Sequence, residues 1–245
     1  MSPPEQPPAR ATRGPASGVL RTLRMLQIAD SALPIGGYTH SWGLETAITE
    51  RRVTDAATLE EWTSHWLRHS LAPLEGVVVA GAARAGHAGA PAEVWALNQL
   101  IEATLLPATI RRASTEMGHQ LLELAETWEW SAPALGPFRH PPAGSAPWHH
   151  AVAFGLLGAL SGSEPEEVVT AFLHQAALGM ISAGVRGIPV GHTHGQQVLA
   201  YLQGTIGALA VEVSGRDVAL AGNGSPWYDI QCEAQTTLYA RVFRS

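Results

Sequence analysis

Eleven histidines and a single cysteine, Cys232, set the range of chemistry open to this chain. Glu61, His65 and His69 stand at i, i+4 and i+8, so on a helix they share one face. Two imidazoles at that spacing can chelate a divalent ion. The spacing is not that of a zincin protease and no third ligand stands nearby, so a solvated polar face is the simpler reading. His192-Thr-His194 is the second candidate: in an extended loop both imidazoles lie on one side, and imidazole suits nickel and zinc alike. His149 and His150 are adjacent and diverge on a helix. There is no Gly-x-Ser-x-Gly elbow, and Cys232 has no partner nearby in sequence. Asp30 and Glu45 are two carboxylates with nothing to place a substrate between them, and Asp30 reads as a loop or cap residue. Trp62, Trp66 and Trp128 lie on apolar faces and read as core. We therefore expect weak, adventitious metal binding, with no catalytic residue, no structural metal site and no cofactor.

Composition narrows the function further. All 15 basic residues are arginine. Without lysine the chain has neither a P-loop lysine nor a Schiff-base nucleophile. One cysteine excludes an internal disulfide, a Cys-x-x-Cys pair and a multi-cysteine zinc site, and fits a reducing cytoplasm. The net charge of −6 opposes a nucleic-acid footprint. With 46% hydrophobic and 15% charged residues, the chain is apolar, and charge falls well below the usual quarter or so. That balance suits extensive burial or broad protein interfaces. The first residues lack the apolar core of a signal peptide. Two uncharged runs, about 168–185 and 195–211, approach membrane-spanning length. His174, Gln175, Gln196, Gln197 and Gln203 interrupt them, so they read as buried helices and no membrane span is expected.

The elements that must position these groups are helical throughout. Residues 1–18 are proline-rich and read as a disordered tail, leaving 19–245 as one all-α domain of about eight to ten helices. Helices are expected over about 19–29 and 41–51. Thr58-Leu-Glu-Glu61 reads as a capping box with Thr58 as N-cap, opening a helix to about Leu71 that Pro73 stops or kinks. Further helices follow over 74–86, from Pro91 through Ile101 and Leu105, and over 109–129, where Ile110, Ala113, Met117, Leu121, Leu124 and Trp128 recur every three or four residues. Residues 131–147 read as a proline-rich loop. A helix over 148–161 precedes a second capping box, Ser163-Glu-Pro-Glu166, opening a helix to about Val185. Arg186-Gly-Ile-Pro-Val-Gly191 breaks it, a helix over 195–213 follows, and 214–231 is a loop before a short helix at 232–240. No strand alternation is convincing; Val77–Val79 and Val211–Val213 both sit in helical patterns.

One stretch organises the rest. Residues 29–45 read Ala-Asp-Ser-Ala-Leu-Pro-Ile-Gly-Gly-Tyr-Thr-His-Ser-Trp-Gly-Leu-Glu. Pro34 disfavours the α region at Leu33, and Gly36 and Gly37 permit positive φ, so a shaped bend sits between two helices. Leu33, Pro34, Ile35, Gly36, Gly37, Tyr38, Ser41, Gly43, Leu44 and Glu45 together resemble the N-terminal signature of the urease accessory protein UreF family. Ala183-Gly-Val-Arg-Gly-Ile-Pro-Val-Gly191 resembles the family's basic residue before a Pro-x-Gly turn, followed by Gly195-Gln196. In the last residues, Tyr239, Arg241, Phe243, Arg244 and Ser245 match the family's tail. The chain departs from the family at His192, where glutamine is common, and at His194, where an acidic or polar residue is common.

The resemblance implies an all-α, non-catalytic, homodimeric scaffold. Its implied partners are UreD (called UreH in some systems), the GTPase UreG and the urease apoprotein, and its implied role is to regulate GTP-dependent nickel insertion. It implies a partner surface drawn from Pro34, Gly36, Gly37, Tyr38, Ser41, Glu45, Arg186 and Gln196, with Glu45 and Arg186 facing UreG. The C-terminal Tyr239, Arg241, Phe243 and Arg244 would face UreD, on a free tail that orders on binding. The alternative expectation is a direct nickel-binding chaperone using His192 and His194.

Overall fold

Two helices with almost no polar face dictate the centre of the molecule. In a computed structural model describing residues 15–244, α4 (Val77–Ala88) and α7 (His150–Ser161) are buried along nearly their whole length. They pack closely because small residues meet between them. A Cβ at Gly155 would stand 2.5 Å from the Val79 carbonyl oxygen, and one at Gly86 would stand 2.8 Å from the Ala159 Cβ. Around this pair lie α5 (Pro91–Thr104), α6 (Ala108–Ala125) and α8 (Pro165–Gly187). The last pairs with α9 (His192–Ser214) through the 188–191 turn, and α3 (Ala56–Trp66) packs on both. Across α7 and α8 runs α1 (Pro15–Ile28), while the short α2 (Leu44–Thr49) packs on α10 (Pro226–Gln235). No strand occurs among the described residues, and Val77–Val79 and Val211–Val213 are helical. The fold is the expected all-α bundle.

Several boundaries differ from expectation, each for a local reason. The first helix opens at Pro15, inside the segment read as a disordered tail; residues 1–14 of that segment lie outside the described residues. Helix α2 starts only at Leu44, because Trp42 (φ 53°) and Gly43 (φ 82°) are left-handed. The N-cap of α3 is Asp55, not Thr58. Asp55 Oδ1 accepts from the Thr58 N–H at 2.9 Å, and the Thr58 hydroxyl accepts from the Asp55 N–H at 3.1 Å. A hydroxyl three residues into the helix thus does what the carboxylate of Glu61 was expected to do. At α8 the box is Glu164 and Glu167 rather than Ser163 and Glu166, since Pro165 takes the first helical position and moves the cap next to it. The final helix spans Pro226–Gln235 rather than 232–240, shortening the expected loop.

Pro73 neither stops nor breaks the chain's path. Residues Leu67–Gly76 form a π-helical segment joining α3 to α4 as one rod. Proline removes the N–H that would satisfy the carbonyl four residues earlier. Here the Gly224 N–H donates to the His69 carbonyl at 2.9 Å, and the Gly222 N–H donates to the Pro73 carbonyl at 3.1 Å. The loop after α9 thereby repairs the helix that the proline opens.

The two uncharged runs fall on α8 and α9. By length and composition α8 could cross a membrane, but 56% of its apolar window is buried against the chain's own core. Polar residues also hold this core together. Asn98 is fully buried and donates to the carbonyls of Ala146 and Pro147 at 3.1 and 2.9 Å, while accepting from the His149 N–H at 2.9 Å. It ties α5 to the end of the proline-rich loop.

Candidate functional site

The signature loop is built by glycine at two places. Gly36 (φ 82°) precedes a 3-10 turn at Gly37–Thr39. Gly43 combines positive φ with close approach: a Cβ there would meet the Gln231 Cβ at 3.1 Å and the Cys232 backbone nitrogen at 3.2 Å. Only glycine meets both demands. Helix α10 therefore lies directly on the loop. The Thr46 hydroxyl donates to the Gln231 carbonyl at 2.9 Å, and the Ser41 hydroxyl donates to Gln235 Oε1 at 3.1 Å.

Beyond α10 the chain returns over the same loop. The Glu45 carboxylate, only 8% exposed, accepts from Gln235 Nε2 at 2.9 Å, the Val242 N–H at 2.5 Å and the Phe243 N–H at 3.2 Å. The Arg244 N–H donates to the Thr39 carbonyl at 2.8 Å, and its guanidinium pairs with Glu116 on α6 at 3.2 Å. From the end of α8, Arg186 donates to the Tyr38 carbonyl at 2.7 Å and to the Ser182 carbonyl at 3.1 Å. Its guanidinium stands 4.6 Å from the centre of the Phe243 ring. A cation over an aromatic face at that distance is attractive. Loop, Arg186 turn and tail, separate in sequence, form one cluster.

The sequence-selected residues divide by exposure. Tyr38, Pro34, Arg186, Tyr239, Arg241 and Arg244 are exposed, and Gly36 and Gly37 are half-buried. Ser41, Glu45 and Phe243 are buried, with Phe243 at 4%. Glu45, expected on a partner-facing surface, makes its hydrogen bonds within the chain. The tail, expected to be free, is docked. Gln196 is exposed on α9 and, among the described residues, makes no hydrogen bond to the cluster. Gln231 and Gln235 escaped the sequence reading, although their i, i+4 spacing was the signal available.

Burial sets the protonation of the groups beneath the loop. His40 is shifted down to about 4, mainly by desolvation and then by the Arg244 charge, with Glu116 opposing. His150 is also shifted down to about 4, by desolvation and by His40. Both imidazoles are neutral at pH 7. Desolvation, then Asp229 and Glu233, push the Cys232 thiol up, so it stays protonated and unreactive.

The histidine candidates are dispersed. His192 and His194 occupy the first turn of α9 rather than an extended loop, so their imidazoles diverge instead of lying on one side. His149 is buried, with Nε2 2.9 Å from Glu102 and Nδ1 3.1 Å from Ser114. The rings of His65 and His69 lie 4.4 Å apart, centre to centre. Among the described residues no group of three or more His, Cys, Asp or Glu converges on one point as a metal ion requires. Trp62 and Trp66 are buried in the core, and Trp128 packs against it.

Comparison with known proteins identifies the family. The sequence profile of the UreF family matches residues 53–203. A urease accessory protein UreF from Arthrobacter sp. (strain FB24) is 34% identical over 228 residues, covering 91% of this chain and 96% of that protein. Another from Thermosynechococcus vestitus is 33% identical over 226 residues, covering 91% and 97%. A third from Nostoc sp. (strain PCC 7120) is 31% identical over 226 residues, covering 91% and 95%. A tail held on the signature loop, within an all-α bundle whose sequence matches these proteins along nearly its whole length, places the chain in a family: it belongs to the UreF urease accessory proteins.

Proposed function

We propose that this chain is a non-catalytic cytoplasmic scaffold. It bridges UreD (UreH) and the GTPase UreG, acts on the urease apoprotein as a homodimer, and regulates GTP-dependent nickel insertion. The observation that carries the reading is the cluster of Glu45, Arg186 and Phe243. It holds a C-terminal tail on which the side chains of Tyr239, Arg241, Val242 and Arg244 are exposed, as is Tyr38 on the loop. Aromatic and arginine side chains displayed together on an ordered backbone are common interface anchors. Pre-ordering the tail lowers the conformational entropy lost on binding. In this reading Glu45 acts by setting the shape of the partner surface. The exposed Leu20, Leu23 and Leu26 on α1 and Tyr201 on α9 add apolar area suited to further protein contacts. Without lysine, the chain leaves nucleotide chemistry to its partner.

The test is co-purification with UreD and UreG followed by sizing of the product. The expected result is one complex containing both partners, lost when the residues after Gln235 are removed. Absence of any complex across salt and nucleotide conditions would overturn the reading.

A further inference from the structure

A cavity of about 200 Å³ lies beneath the signature loop, between it, the π-helical segment and α8. Exposed residues, Asp30, Ser31, Tyr38 and Ser182, form its mouth. Trp66, Leu71 and Phe172 line its interior, together with His150 and Glu75. Glu75 is half-buried and has no hydrogen-bond partner among the described residues; it borders this cavity and the smaller void beside it. It is carried by the π-helical turn, a distortion that often marks functional positions. The proposed partner contacts described above do not use it.

A half-buried acid with no protein partner, set among Trp66, Leu71 and Phe172, favours an occupant that can pair with it. The surrounding charge selects the sign of that occupant. Asp30 stands at the mouth and Glu75 inside; Arg186 is bonded outside it to the carbonyls of Tyr38 and Ser182 at the rim, and no arginine among the described residues lines the space itself. An anion would be repelled, and an uncharged hydrocarbon would leave the carboxyl desolvated. The Trp66 ring, stacked on Trp42 at 6.4 Å between centres, presents an aromatic wall that favours a cation carrying an apolar body.

We propose that this cavity is a binding site for a primary alkylammonium group, with the ammonium on the Glu75 carboxylate and the alkyl chain among Trp66, Leu71 and Phe172. Free amines and a lysine side chain from another protein share this chemistry; the chain itself contains no lysine. The volume suits an alkyl chain of a few carbons.

The test is calorimetric titration of the full chain at pH 8 with n-butylammonium chloride, with n-butanol and sodium chloride as controls. The expected result is saturable binding of one n-butylammonium per chain, weakened about tenfold or more in Glu75→Gln. A Cβ at Gly179, which lines the cavity, meets nothing within 4 Å, so Gly179→Leu should fold normally and block the site. A capped lysine, Nα-acetyl-lysine methylamide, separates the sources. Binding of n-butylammonium alone assigns a free amine, and equal or tighter binding of the capped lysine assigns a partner's side chain. Equal binding of n-butanol, unchanged affinity in Glu75→Gln, or no saturation up to about 10 mM, meaning water alone fills the space, would overturn the proposal.

Discussion

The Glu45 carboxylate accepts the Phe243 backbone N–H at 3.2 Å across 198 positions of sequence, while Arg186 covers the ring of the same phenylalanine. This acid thus joins the signature loop to the tail, beside the bond from the Arg244 N–H to the Thr39 carbonyl. Hydrogen bonds to an ionised acceptor are worth about 1.5–3 kcal/mol each. Glu45→Ala should therefore release the tail at a cost of about 3 kcal/mol in docking free energy. Hydrogen exchange at Val242 and Phe243 should accelerate about a hundredfold with helicity unchanged. Unaltered exchange would show that the carboxylate does not hold the tail. In the same variant, loss of UreD and UreG from the purified complex would link tail order to assembly.

Arg186 makes two kinds of contact that lysine cannot reproduce together: a directed hydrogen bond to the Tyr38 carbonyl and a guanidinium placed over the Phe243 ring. Arg186→Lys should lose about 1 kcal/mol of tail docking, close to the loss in Arg186→Ala. Trypsin cleavage after Arg241, timed by mass spectrometry, measures it. Full retention of protection in the lysine variant would mean that charge alone is enough.

His40 and His150 lie close together beneath the loop, each with a native value near 4 against an ordinary 6.5. Between these values the unfolded chain binds more protons than the folded one. Stability from these groups is complete above pH 6.5 and is lost as pH falls toward 4. The slope reaches about 1.4 kcal/mol per pH unit for each imidazole. Urea unfolding at pH 7, 6 and 5 should show this decline, and His150→Leu should flatten it.

Glu75 has the opposite sign. Desolvation raises its carboxyl to about 7 from 4.5, so the folded chain binds more protons between those values, and stability falls as pH rises through the window. Glu75→Gln removes this penalty. It should raise the melting temperature at pH 8 by roughly 5 °C and much less at pH 5. An equal effect at both values would mean that ionisation is not the cause.

Asn98 holds three backbone groups at once, and no apolar residue can replace them. Asn98→Leu should destabilise by roughly 2–4 kcal/mol, with faster exchange of the His149 amide. Denaturant midpoints and amide exchange check both parts.

Much of this molecule was written in local pattern. Periodic apolar residues gave the helices, because a stripe recurring every three or four positions can be buried only as a helix. Met117 and Leu121 of α6 are buried as that pattern requires. The signature loop, the Arg186 turn and the terminal residues were each recognisable as short strings, because turn chemistry is local. Caps were legible to within a few residues; Asp55 displaced Thr58 because a carboxylate and a hydroxyl can exchange roles in the same box.

Tertiary structure decided the rest. Pro73 was expected to stop or kink a helix; the rod continues through it as a π-helical segment, where a distant loop supplies the Gly224 N–H to the His69 carbonyl. His192 and His194 were expected on one side of a loop, but Gly191 caps α9 early and turns them apart. Glu45 looked like a surface charge because its i, i+3 and i+4 neighbours cannot reveal that a tail 198 residues away will cover it. Periodicity and turn chemistry report only on neighbours along the chain. Which acid is buried, and which backbone groups satisfy it, is settled when the helices pack.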